Sequence, residues 1–561
     1  MSDAEGLYTL LKEKTPEYNI SKIYLDAFRQ VTNVSGQTYP DAVKAINDRI
    51  NYGCLVFNYI GHGSENGLAA EGVIKPDQIN SWKNGSRLPL FITATCEFSR
   101  FDDAEKDLIT GDWQAKTSAG EKVFLKEDGG AIALMSTTRL VFSAPNYFLN
   151  KNIYASAFER DADGNPLRLG DIIRIAKNNS GSGPNKRNFS LLGDPAVRLE
   201  YPWHGKVITD SINNVSVIAG TDSLKALSMI SIAGHLEDMS GKTLDSFNGT
   251  VTPLVYDKVS TIRTLANDGG LPMKFELRNN ILFSGKTTAT NGKFRFSFIV
   301  PRDIDYSYGQ GLISFYAWDE VSDMNGSYNG IVVGGFASAT VTDSKGPEIR
   351  LFLNDTLFRD GGITDNNPRL LALIKDEGGI NTTGAGIGHD LVAYLDNDRN
   401  RSILLNDYFE NDFDNYRSGK LVYDISDLLS GEHTITLKAW DNFNNSSEES
   451  VKFLVLKEGR FILKNLINYP NPVINETRIT AGHNRPFNEV DVEIEILDMS
   501  GRMIRILNSS GYTTGYQLTD LTWDGKDEGG KRVARGIYAY RMTVRTLNGE
   551  KATGSGRIII L

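Results

Sequence analysis

Cysteine is nearly absent from this sequence: Cys54 and Cys96 are the only two in 561 residues. At one domain per roughly 100–200 residues the chain has room for about four, and two thiols cannot staple four domains. Stability must come from packed cores, which a 40% hydrophobic and 23% charged composition can supply. Long apolar runs are also missing. The best, residues 53–60 and 130–135, are strand-sized and fall short of the roughly 18 residues that cross a bilayer as a helix. No block of Lys or Arg occurs, and 60 basic residues against 70 acidic ones leave a formal charge of −10, so nucleic acid is set aside as a partner. The N-terminus lacks the basic-then-apolar pattern of a secretory leader. Ser2-x-x-Glu5 ahead of Leu7, Leu10 and Leu11 reads instead as the capping box of a helix, so the chain is expected to begin inside a domain, with its address written upstream.

What is present changes texture near residue 202. Before it, helix and strand patterns alternate. A strand pattern at 22–28 follows the first helix, and Pro40 opens a second helix with Val43, Ile46 and Ile50 on one face. The runs 54–60, 88–95 and 131–135 are nearly all apolar, as in parallel strands covered on both faces, and helical patterns near 143–158 and 168–178 supply covers. Residues 1–201 are therefore expected to form an α/β domain. Such sheets carry their sites in loops leaving the carboxyl ends of strands, where Gly61-His-Gly63 and Thr95-Cys-Glu97 stand.

Beyond 202, short alternating runs separated by Gly, Asn and Asp indicate antiparallel β-sandwiches, one over 202–342 and a second over 343–457. Leu312-Ile-Ser-Phe-Tyr-Ala-Trp-Asp319 is echoed by His433-Thr-Ile-Thr-Leu-Lys-Ala-Trp-Asp441, as though each block closed on the same final strand. A third β unit, 458–561, begins near Asn468-Tyr-Pro-Asn-Pro472, whose prolines imply an extended lead-in. Asp161-Ala-Asp-Gly164 and Asp396-Asn-Asp-Arg-Asn400 have calcium-like spacing but no Glu at loop position 12, so both read as solvated turns. Gly384-Ala-Gly-Ile-Gly388 has no buried strand before it and reads as a β-turn. No metal and no cofactor are expected.

Of six histidines only His62 lies inside the α/β stretch; His204 falls just past its edge. Cys96 follows the next strong strand pattern, so adjacent parallel strands would bring both loops to one sheet edge. An imidazole beside a thiol can take its proton, generating a thiolate that attacks an amide carbonyl, and can later protonate the leaving amine. The backbone N–H groups of Gly63 and Cys96 are candidate oxyanion donors, the first because glycine has no Cβ to block approach. Cys54, inside an apolar run, reads as packing.

Four motifs in order then carry a resemblance. Asn58-Tyr-Ile-Gly-His-Gly63, Thr93-Ala-Thr-Cys-Glu-Phe98, Gly129-Gly-Ala-Ile-Ala-Leu-Met-Ser-Thr-Thr-Arg139 and Leu192-Gly-Asp-Pro-Ala-Val-Arg198 resemble successive motifs of the gingipain-type cysteine peptidases, peptidase family C25. Tyr469-Pro-Asn-Pro472, Asp498-Met-Ser-Gly501, Trp523-Asp-Gly-Lys-Asp527 and Gly536-Ile-Tyr538 resemble the sorting domain of type IX secretion cargo. With β modules between, the arrangement is most similar to the family's sortase members in Bacteroidetes.

The resemblance implies a multidomain chain: an N-terminal α/β domain with a caspase/gingipain-like parallel sheet, then Ig-like β-sandwich domains. It implies His62 as general base and acid, Cys96 as the nucleophile that forms a thioester, Gly63 and Cys96 as the oxyanion hole, and Ser136, Thr137 and Thr138 as part of a specificity pocket. It further implies an acid that orients the histidine, from a strand ahead of residue 1; Asp3 and Glu5 fall on a predicted helix, where acids serve the cap and dipole. The implied activity is a transpeptidase at the outer membrane and cell surface. Its partners would be proteins bearing C-terminal sorting domains, anionic lipopolysaccharide as amine acceptor, and an outer-membrane secretion partner such as PorV. A secreted endopeptidase that only hydrolyses, and a non-catalytic surface docking protein, stand as alternatives.

Overall fold

The computed structural model describes the chain except residues 35, 107–110, 221, 338–342, 384–387, 457–460, 487 and 514, and the side chain of Asn400. The expected boundaries near 342 and 457, and most of the Gly384–Gly388 turn, lie outside the described residues. The molecule is mostly β, with its helices concentrated in the first 190 residues.

Helix α1 (Ser2–Lys14) starts one residue earlier than a capping box would allow: Met1 is the N-cap, and Glu5 reaches Lys22 at 2.9 Å and the Tyr24 hydroxyl at 2.5 Å. That ion pair, not the helix end, claims the carboxylate. The pattern at 22–28 is not a strand but a 3-10 turn at Leu25–Ala27, where Asp26 accepts from the backbone N–H groups of Ala266 and Asn267 and joins this region to the next. Helix α2 (Pro40–Tyr52) opens on its proline and buries Ile46 and Ile50.

Four strands form the N-terminal sheet, in spatial order β4-β3-β2-β1: β1 (Val56–Ile60), β2 (Leu90–Ala94), β3 (Ala133–Thr137) and β4 (Phe189–Leu192). The first three are parallel, with Ile60 opposite Ala94 and Ile92 opposite Met135. β4 runs antiparallel to β3 and carries no pattern that marked it as a strand. Every residue of β2 and β3 is buried, whereas every residue of β1 is only half-buried, because β1 is an edge and its apolar run is covered on fewer sides. Leu90, Ile92 and Met135 pack toward helices α3 (Ser143–Ala157) and α4 (Leu169–Asn179); Phe91 and Leu134 pack toward α2 with Trp82 and Phe98.

Residues 205–328 depart from the sandwich expectation. One nine-stranded sheet curls until the strand Gly205–Ile212 meets the strand Asp323–Tyr328 at Lys206 and Asn325, closing on itself. Five phenylalanines (283, 294, 296, 298 and 315) crowd its interior, a filling bulky enough for one rolled sheet to replace two layers. Residues 348–455 form a four-stranded and a five-stranded sheet over one core. The echoed segments are not final strands: Leu312–Trp318 and Gly431–Trp440 each pair with a following strand. Asp319 and Asp441 hold the two turns by accepting backbone N–H bonds, which explains why Trp-Asp recurs. The last unit packs a three-stranded and a four-stranded sheet around Trp523 and Tyr540. Both prolyl bonds of its lead-in, Tyr469–Pro470 and Asn471–Pro472, are cis.

Candidate active site

β1 and β2 end level with each other, and the Gly61 N–H donates to the Ala94 carbonyl at 3.3 Å, one step past the paired strands. Two residues beyond each strand end stand His62 and Cys96, so the parallel register brings the two loops to the same sheet edge. The backbone around them is firmly held. The His62 carbonyl accepts from the Tyr59 hydroxyl and from the Ala69 N–H, each at 2.8 Å. Gly63 lies so close to the next strand that a Cβ there would stand 2.5 Å from Thr95 Oγ1 and 3.1 Å from the Gly67 carbonyl. Only glycine lets the two peptide segments approach this closely.

Directly after Cys96 the chain turns through Glu97 at φ +52°, a left-handed conformation uncommon for a residue with a side chain. Surrounding bonds over-determine it: Ser99 N–H donates to the Thr137 carbonyl at 3.0 Å, Gly120 N–H to Phe98 at 2.8 Å, and the Phe98 ring is fully buried. This turn leaves Cys96 half-buried beside open solvent. Its thiol donates to the Val141 carbonyl at 3.6 Å. His62 is exposed, and among the described residues nothing bonds its ring. Cys54 is different: burial pushes its thiol up to about 11 and keeps it protonated.

Ser136, Thr137 and Thr138 do not present their side chains to solvent. All three are buried, and their hydroxyls are engaged inside the protein: Ser136 with Thr93 at 2.6 Å, Thr137 with the Thr95 carbonyl at 2.6 Å, and Thr138 with the Asn188 carbonyl at 3.2 Å. The resemblance assigned these residues to a specificity pocket; their hydroxyls tie neighbouring segments together. The side chains that do face solvent beside Cys96 come one step later, Leu140 and Phe142, with Phe101 on the facing turn. Arg139 clamps the two segments through a bidentate contact with Asp102, at 2.8 and 2.5 Å.

The turns with calcium-like spacing have protein partners for their leading carboxylates: Asp161 accepts from two backbone N–H groups and pairs with Arg198 at 3.0 Å, and Asp396 pairs with His433 at 2.8 Å. A different group could hold a cation, and no motif announced it. Oxygens of Asp343, Asp376 and Asp441 lie within 4.8 Å of one another at the edge of the 348–455 unit. Burial pushes Asp376 up to about 7. None of these residues belongs to the His62–Cys96 edge.

The held Cys96 loop, the His62 loop on the adjacent parallel strand and the close-approach glycine bring together the kinds of group that thiol-dependent acyl transfer uses. Residues 1–200 match the model of peptidase family C25, a family of cysteine peptidases. The chain is similar to dimeric latent PorU from Porphyromonas gingivalis, with 30% identity and a TM-score of 0.31, over 78% of this chain and 41% of that one. It is also similar to the complex of Porphyromonas gingivalis RgpB pro- and mature domains, at 15% identity and a TM-score of 0.24, over 52% of this chain and 57% of that one. The Arg-specific cysteine proteinase gingipain R gives 14% identity and a TM-score of 0.24, over 52% and 55%. This chain thus spans less than half the length of the PorU structure. No curated protein sequence matches it.

Proposed function

We propose that this chain is a cell-surface cysteine transpeptidase, with His62 and Cys96 as its catalytic pair. The observation that carries the reading is the level ending of β1 and β2, which sets the histidine and cysteine loops side by side. The parallel strands are then a caspase/gingipain-type core, and the 348–455 unit an Ig-like sandwich. His62 takes the proton from Cys96 Sγ, and the thiolate attacks the carbonyl carbon of the scissile amide. The oxygen gains negative charge between the N–H groups of Gly63 and Cys96. As the C–N bond breaks, His62 gives its proton to the departing amine, leaving a thioester on Cys96. An acceptor amine attacks that thioester, passes its proton through His62, and Cys96 leaves as thiolate. The mature substrate would leave joined to anionic lipopolysaccharide, and the segment released would be a C-terminal sorting domain. An outer-membrane secretion partner such as PorV would hold the enzyme at the surface.

Exposure of His62 favours a second reading, because water reaching the thioester would end the cycle in hydrolysis. Mass spectrometry of a sorting-domain substrate, incubated with this protein or Cys96→Ala and with or without a small amine, separates the two. An amide-linked product that requires Cys96 supports transfer. A free carboxylate alone supports a peptidase, and no cleavage at all moves the reading to a docking protein.

A further inference from the structure

The Cys96 N–H owes its direction to the peptide group it belongs to. A trans peptide is planar, with its carbonyl and N–H on opposite edges, so whatever holds the Thr95 carbonyl also aims the Cys96 N–H. Two buried side chains hold that carbonyl. Thr137 Oγ1, at the end of β3, donates to it at 2.6 Å, and Asn146 Nδ2, in the first turn of α3, donates at 3.4 Å. Thr137 is fully buried and Asn146 is 5% exposed, so neither can meet a substrate. Two donors suit the two lone pairs of one carbonyl oxygen. Thr95 also presses its side chain against Gly63, fixing the spacing between the two candidate oxyanion donors.

We infer that Thr137 and Asn146 are positioning residues for the oxyanion hole: by drawing the Thr95 carbonyl inward they turn the Cys96 N–H outward, toward the oxygen that gains charge. Hydrogen bonds to the carbonyl also polarise the peptide and strengthen its N–H as a donor. Without them, the peptide plane is free to rotate and present its carbonyl oxygen, an acceptor, where a donor is needed. This inference rests on the proposed function and deepens it, because Thr137 leaves the specificity pocket and joins the machinery behind Cys96.

The test compares two thiol probes on the full chain. A peptide aldehyde forms a thiohemiacetal whose oxygen sits in the hole, whereas iodoacetamide alkylates the sulfur by displacing iodide and creates no oxyanion. Removing an oxyanion donor outright costs about 10²–10³ in kcat, so loosening one should cost about 10–100-fold. Thr137→Val is expected to lower kcat and aldehyde affinity by that factor, with KM and the alkylation rate changed less than about twofold. Thr137→Ser should restore both, and Asn146→Leu should show the same split more weakly. Equal losses for both probes, unchanged aldehyde affinity, or no rescue by serine would overturn the inference while leaving the catalytic pair intact. A wild-type protein whose Cys96 takes iodoacetamide but neither cleaves substrate nor binds the aldehyde would overturn the proposed function and this inference together.

Discussion

Two histidines, one in the first region and one in the last, show how differently a parallel and an antiparallel sheet treat an ionisable group. His62 stands exposed beyond a parallel strand that must hand over to a long connection, so the strand end opens into loops. His483 ends the strand Thr477–His483 in the terminal unit and is fully buried, its Nδ1 accepting from the Arg485 N–H at 3.3 Å and its Nε2 without a partner among the described residues. Burial pushes it down to about 4. Parallel topology therefore leaves polar residues free at one edge, while hairpins close their strand ends and trap what points inward. The first arrangement permits chemistry; the second turns the same imidazole into a pH-dependent cost.

The largest expected effect lies within the first region. Cys96→Ala should reduce turnover by at least about 10³-fold, as removal of a nucleophile does, whereas Cys54→Ala should leave it within about twofold. Comparable losses for both would erase the distinction between the strand-end thiol and the buried one. Next, alkylation near pH 7 followed by peptide mapping should label Cys96 at least about a hundredfold faster than Cys54, which burial keeps protonated. Equal labelling would break the contrast directly.

The terminal unit supplies the third test. Because the folded pKa of His483 lies below the unfolded value of 6.5, the unfolded state binds the proton first. Stability of this unit should be independent of His483 above pH 6.5 and fall between 6.5 and 4, by roughly 3 kcal/mol in all. Hydrogen exchange of the strand Thr477–His483 measures this, and His483→Gln should flatten the slope. An effect of opposite sign is expected in the 348–455 unit. Burial, and then repulsion from Asp441 and Asp343, raise Asp376 from 3.8 to about 7, so its folded form holds the proton more tightly. Its stability should decline as pH rises through that window, and Asp376→Asn should remove the decline. Urea titrations of the two variants across pH 4–7.5 give the comparison its sign.

Part of this was legible in the sequence and part could not be. The runs at 88–95 and 131–135 declared strands because burial on both faces demands apolar residues at every position. The adjacency of the His62 and Cys96 loops followed from the order of those strands. The pattern at 22–28 misled because its apolar residues pack onto neighbours from a turn, not a ladder. The inward bonds of Ser136–Thr138 were not legible, because a hydroxyl at a strand end can face inward as readily as outward. Closure of the 205–328 sheet depends on pairing between its first and last strands, a contact about 120 residues apart that no local pattern records. Asn146 did carry a signal: two asparagines, 146 and 150, share a face of α3 among buried apolar residues, an unusual cost unless one of them has a task.

The bond from the Cys96 thiol to Val141 has a consequence for charge. While the sulfur keeps its hydrogen, the contact is an attraction between a weak donor and a carbonyl. In the proposed reaction His62 takes that hydrogen, and a full negative charge then faces the negative end of the Val141 dipole across 3.6 Å. The same two atoms then repel each other. In that reaction, loss of the hydrogen from the sulfur and movement of the Val141 segment away from it are coupled.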